Sequence, residues 1–160
     1  MNELGWIIVG VIFALVIASI SYVVQVFVRI NVNKNKIKNT LAQISGQVDV
    51  KHNLLKEYIK INKDGIVDET FNKINSVLNE YENYKGMDID TLKEFNTSYV
   101  LYLKSFDDSL LCKQCDESEE KINYIKEYYN ELVCFFNRYK SNGVNVILSK
   151  ALSIDDAKLY

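Results

Sequence analysis

The chain has 160 residues, enough for one sizeable domain, with no proline, six glycines and a net charge of −2. The near-neutral balance argues against a nucleic-acid partner, which would favour a basic excess. Three cysteines are too few and odd in number for a disulfide framework and fit a reducing compartment.

Residues 1–3 form a short N-terminus ahead of a charge-free run from Leu4 to Val28, LGWIIVGVIFALVIASISYVVQVFV. Its 25 residues exceed the roughly 20 that cross a hydrocarbon core about 30 Å thick. Trp6 and Tyr22 lie near its ends, where aromatic rings favour the membrane interface. A cleaved signal peptide would carry a basic n-region, and none precedes the run. Arg29, Lys34, Lys36 and Lys38 follow it, with no acid until Asp49. The positive-inside rule therefore predicts a single-pass anchor with the N-terminus outside and the rest in the cytoplasm. The same cations suit anionic headgroups of the lipid bilayer. Gly10, Ala14 and Ala18 form a small-residue stripe offering a face for helix dimerisation and a possible homo-oligomer.

Residues 29–140 predict four amphipathic helices at about 29–63, 67–84, 91–113 and 117–140. In the first, the apolar stripe is Ile37, Leu41, Ile44, Val48, Leu55 and Ile59, with Gly65 suited to a left-handed end. The second carries Val67, Phe71, Ile74, Leu78 and Tyr81, and YKGMD closes it. Asp90 is the predicted cap of the third, with Leu92, Phe95, Tyr99, Tyr102, Phe106 and Leu110 on one face. CDESEEK breaks the pattern, and Asp116 and Glu119 have capping-box spacing for the fourth. That helix carries Ile122, Ile125, Tyr129, Leu132, Phe136 and Tyr139. The expected fold is all-α: a transmembrane helix continuing into an antiparallel up-down four-helix bundle. The tail, 141–160, has the apolar content for a short helix, docked either on the first helix or on the lipid surface.

Candidate chemistry is sparse. The single histidine, His52, sits on the edge of the first stripe and reads as a partly exposed helix residue without triad or di-iron partners. Cys112 and Cys115 form a C-x-x-C outside any βαβ context, and Cys134 lies too far along helix four to join them at a zinc site. NKDGIVDET does not make a calcium loop, because Lys60 and Phe71 stand where ligands would be needed. No glycine cluster forms a phosphate loop. Neither catalytic residues nor cofactors are expected.

Two stretches carry a family resemblance. LAQISGQVDVKHNLLKEYI in helix one resembles the LemA stretch A-x-x-Q-I-D-V-Q-L-K-R-R-x-D-L-I-P-x-L-V, with Gln43, Ile44, Gln47 and Leu54 coinciding. YNELVCFFN in helix four is similar to the family's Y-N-x-x-V-x-x-Y-N, with Tyr129, Asn130, Val133 and Asn137 matching and Phe136 replacing a tyrosine. Ser45, Val50, Lys51, Asn53 and Lys56 depart from the family pattern, and the middle third matches only in helical periodicity. The resemblance implies a divergent member: a membrane-anchored helical bundle with no established enzymatic activity. The expected function is a non-enzymatic scaffold that docks unknown protein partners at the cytoplasmic membrane. The alternative is a membrane-tethered thiol sensor using Cys112 and Cys115; a third is a bundle that assembles to shape the membrane.

The recurrence of an aromatic–Asn pair after one heptad, Tyr129–Asn130 and Phe136–Asn137, has two readings. The asparagines are polar residues beside a core, or they hydrogen-bond to Gln43 and Gln47 of helix one and fix the bundle's register. The matched positions of Gln43 and Gln47 favour the second.

Overall fold

A computed structural model describes residues 3–84, 86 and 88–160; Lys85 and Met87 of the YKGMD turn lie outside the described residues. The described chain is helical, with no strand. Helix α1 runs unbroken over Glu3–Ile61, followed by α2 (Asp68–Asn83), α3 (Ile89–Ser105), α4 (Ser109–Lys140) and α5 (Val144–Ala151). The absence of proline lets the apolar run and the first amphipathic stripe join in one helix of 59 residues. Its N-terminal part is long and apolar enough to cross a membrane, and its apolar side chains there are exposed.

The breaks are made by side-chain caps and tight turns. Past α1, the Gly65 N–H donates to the Asn62 carbonyl (3.0 Å) in a short 3-10 turn. Gly65 is not left-handed: among the described glycines only Gly143 has positive φ, at +52°. The cap of α3 is Asp88, not Asp90. The Asp88 carboxylate accepts from the Thr91 N–H at 3.1 Å, which also holds its pKa below the ordinary aspartate value.

Helix three ends earlier than its periodicity suggests, and helix four begins earlier. The break falls at Phe106–Asp108, where the Asp108 carboxylate accepts from the N–H groups of Leu110 (2.9 Å) and Leu111 (3.0 Å). With those first-turn donors satisfied, CKQC and CDESEEK are helix interior. Asp116 and Glu119 do not cap. Asp116 pairs with Lys104 at 2.7 Å, and Glu119 turns to a buried lysine.

The chain divides into two compact units. In one, the chain up to Lys36 is joined by Cys134–Ala157. Val26 and Ile30 of α1 are buried there, and the Tyr22 hydroxyl donates to Asn145 Oδ1 of α5 at 3.2 Å. The tail thus does form a helix, and that helix docks on α1. In the other unit, Ile37–Val133 with Lys158–Tyr160, the core comprises Ile44, Val48, Leu55 and Ile59 from α1, with Ile74 and Leu78 from α2. Leu92, Phe95, Tyr99 and Leu103 from α3 and Leu111, Cys115, Ile122, Tyr129 and Val133 from α4 complete it. Each set recurs every three or four residues, the spacing that keeps side chains on one helix face. Leu110 is exposed, and Phe106 stands outside α3.

Candidate functional site

The core of the second unit contains a polar layer at the level of Lys51 and His52. Both fill the gap that the α1 stripe leaves between Val48 and Leu55. Lys51 is 0% exposed, a costly position for an ammonium without partners. Two partners meet it: Lys51 Nζ donates to Asn96 Oδ1 of α3 at 2.6 Å and to Glu119 Oε1 of α4. The Asn96 amide donates to the same Glu119 oxygen at 3.0 Å, so three helices share one closed hydrogen-bonded triad. One turn earlier, the Ser118 hydroxyl donates to the backbone carbonyl of Gln47 at 3.2 Å, with Gln47 Oε1 3.3 Å away.

His52 is buried, 6% exposed, rather than partly exposed as its place on the edge of the stripe suggested. The gap in the stripe turns it inward among aromatic rings: Tyr81 at 5.0 Å and Tyr99 at 5.7 Å between centroids. Phe95 and Tyr84 extend the cluster. His52 Nδ1 lies 3.0 Å from the Tyr99 hydroxyl, and Nε2 lies 3.5 Å from the Glu82 carboxylate. Burial raises the Tyr99 pKa far above the ordinary value, so its hydroxyl keeps its proton; because the Glu82 carboxylate can only accept, the tautomer in which Nδ1 accepts from that hydroxyl fits both contacts. Nε2 then carries the ring proton and faces Glu82. The Tyr81 hydroxyl donates to Asp49 at 2.6 Å, and Lys56 donates to Glu82 at 2.5 Å. An open cleft of 340 Å³ lies over this group, lined by Ser45, Asp49, His52, Tyr81 and Glu82 among others.

Each carboxylate is engaged by a donor within the network. No three His, Cys, Asp or Glu side chains converge to hold a metal among the described residues. Burial lowers the His52 pKa below 6.5, outweighing the opposing pull of Glu82. The unfolded chain therefore binds a proton near pH 6.5 that the folded chain refuses, and stability falls as pH drops below that value until the folded pKa is passed. Glu82, held below 4.5 first by the Lys56 hydrogen bond, stabilises above that pH and loses its contribution only on stronger acidification. The two windows separate. The unfolding free energy should decline as the pH falls below about 6.5, the ordinary histidine value, and His52→Gln should flatten that decline. A slope unchanged in the variant would reject the assignment.

The residues of the two motif stretches divide by role. Ile44, Val133, Tyr129 and Phe136 are core, Leu54 is half-buried and Gln43 is exposed. Asn130 and Asn137 do not reach Gln43 and Gln47; they hold the C-terminal tail. The Asn137 amide donates to the Ala157 carbonyl at 2.9 Å, and Asn137 Oδ1 accepts from the Ala157 N–H at 3.0 Å. Asn130 Oδ1 accepts from the Tyr160 N–H at 2.8 Å, and the Tyr129 hydroxyl donates to the Lys158 carbonyl at 3.0 Å. Residues 155–160 lie outside any helix, and the asparagine amides bond part of their backbone. The two asparagines, one heptad apart, each bond the tail, Asn137 at Ala157 and Asn130 at Tyr160. The Tyr160 ring lies between Lys93 and Lys126, whose ammonium groups are 5.3 and 5.6 Å from its centroid.

Trp6, Tyr22, Arg29, Lys34, Lys36 and Lys38 are exposed along α1, as are Gly10, Ala14 and Ala18. The cysteines are free: Cys134 exposed, Cys112 half-buried and Cys115 buried. Burial raises the Cys115 thiol above its ordinary pKa, which disfavours the thiolate a redox site needs. Sequence reasoning missed Lys51, Asn96 and Glu119, although a stripe stepping seven residues from Val48 to Leu55 was the signal for the first. No family model, curated protein or solved structure matches this chain.

Proposed function

We propose that this chain is a divergent LemA-like, single-pass membrane protein. Its helices form an antiparallel four-helix bundle held on the cytoplasmic side, with the N-terminus outside. It is a non-enzymatic scaffold for protein partners. The observation that carries this reading is α1: a charge-free apolar stretch, exposed along nearly all of its length, passes without a break into a helix whose core face is latched by Lys51 and His52. An exposed apolar helix of that length needs a hydrocarbon solvent. The conversion of Tyr129, Asn130 and Asn137 into a tail clamp gives the family-like motif a structural role, which suits a scaffold. Tyr124 and Tyr128 are exposed one turn apart on α4, and exposed tyrosines are favoured docking groups.

Cys134 is the natural probe of this topology, being exposed and in the C-terminal part of the chain. A membrane-impermeant maleimide should leave it unlabelled in intact cells and modify it quickly after permeabilisation. Cys115 should react only on unfolding. Modification of Cys134 in intact cells would reverse the orientation, and recovery of the chain in the soluble fraction would remove the anchor. A turnover abolished by His52→Gln or Lys51→Met, with the fold retained, would overturn the non-enzymatic reading.

A further inference from the structure

We propose that α5 is an interfacial helix, seated at the boundary between hydrocarbon and headgroups with its outer face in lipid. The inference rests on α1 spanning the membrane.

The faces of α5 are the reverse of those expected in water. Asn145 and Ser149, four residues apart, are its buried face, at 7% and 3% exposure. Val144, Ile147, Leu148 and Ala151 follow the i, i+3, i+4, i+7 spacing of one apolar stripe. On that stripe Val144 and Ala151 are exposed, and Ile147 is 67% exposed. An eight-residue helix is not stable alone in water. Asn145 ties this one to the protein: it accepts from the Tyr22 hydroxyl and donates its amide to the Tyr139 carbonyl at 3.0 Å. A helix that turns its amide and hydroxyl side chains to the protein and its aliphatic ones outward has a nonaqueous neighbour.

The position along α1 says which neighbour. Tyr22 is eighteen residues beyond Leu4, the start of the charge-free run. At about 1.5 Å per residue this is about 27 Å, close to the roughly 30 Å thickness of the hydrocarbon core. Asn145 is therefore tied to α1 where the hydrocarbon ends. The surface of α1 beside it continues apolar and exposed through Val23, Val24, Phe27 and Val28, then turns basic at Arg29. The α5 stripe continues the surface that lipid already covers. Lys150, exposed on a third side, can extend its ammonium to anionic headgroups with Arg29 and Lys34.

The test uses the full chain carrying Cys112→Ser, Cys115→Ala and Cys134→Ser, reconstituted in phosphatidylcholine/phosphatidylglycerol vesicles. Three single-cysteine variants, Ile147→Cys, Phe13→Cys and Lys113→Cys, are labelled with an environment-sensitive fluorophore. Quenching is measured with nitroxide lipids labelled near the ester end or near the methyl end of the acyl chain. The Ile147 probe should be quenched several-fold more by the ester-end nitroxide, the Phe13 probe more by the methyl-end one, and the Lys113 probe by neither. If Ile147 behaves like Lys113 while Phe13 stays deep, the proposal falls and the anchor stands. Blue-shifted Ile147 emission without lipid quenching would mean that protein, such as a second copy, covers the face, and would also overturn it. An unquenched Phe13 probe would remove the membrane reading and this inference together.

Discussion

Glu119→Leu should cost this protein about 3–5 kcal/mol, and Lys51→Met distinctly less, about 1–3 kcal/mol. The asymmetry follows from where each charge is left. Glu119→Leu strands an ammonium whose side chain is 0% exposed, with only the Asn96 oxygen to receive it. Lys51→Met strands a carboxylate whose side chain is 28% exposed, so water recovers part of its solvation. The double variant should be no worse than Glu119→Leu alone, because removing both charges removes the uncompensated one. Asn96 then loses both of its partners, which keeps the double variant from matching the parent. Urea unfolding of the full chain in detergent micelles, followed by helical circular dichroism, measures all three. Equal losses for the two single variants, or strictly additive losses in the double, would dismiss the buried-charge account.

That layer marks where the sequence was legible and where it was not. Apolar recurrence located the core faces, since Ile44, Val48, Leu55, Ile59, Ile74, Leu78, Leu92, Phe95 and Tyr99 are all buried. Periodicity detects apolar side chains, so it passed over Lys51 and His52, which occupy core positions through partners on other helices. The partners of Lys51 are 45 and 68 residues away, and no local pattern announces such pairing. The break before α4 failed for another reason. Phe106–Asp108 contains neither glycine nor proline, and its signal is one aspartate capping two N–H groups. CDESEEK, richer in charge, drew the boundary instead, because an acidic run suits a helix start as well as an exposed helix interior.

Asn130→Ala combined with Asn137→Ala should free the C-terminal tail while leaving the helices assembled. Three hydrogen bonds are lost: two to Ala157 and one to Tyr160. At roughly 1 kcal/mol each, the tail should open about 3 kcal/mol more easily, a rise of roughly a hundredfold in local amide exchange. Ala157 and Tyr160, whose N–H groups the asparagines receive, should show it first. Global unfolding should move little, since both asparagines are half-buried and their α4 positions are compatible with alanine. A register-setting role makes the opposite prediction: mispaired helices, a lowered unfolding midpoint and exchange raised throughout the core, with no preference for the tail. The contrast also bears on the motif itself. Tyr129 contributes its ring to the core and its hydroxyl to the Lys158 carbonyl, whereas Phe136 has only the ring. Tyr129→Phe should therefore loosen Lys158 and its neighbours without opening a cavity, and Phe136→Ala should cost about 3–5 kcal/mol in stability. In YNELVCFFN the aromatic positions carry the packing and the asparagines carry the tail, so exchange confined to residues 154–160 in the asparagine variants is the result that separates the two tasks.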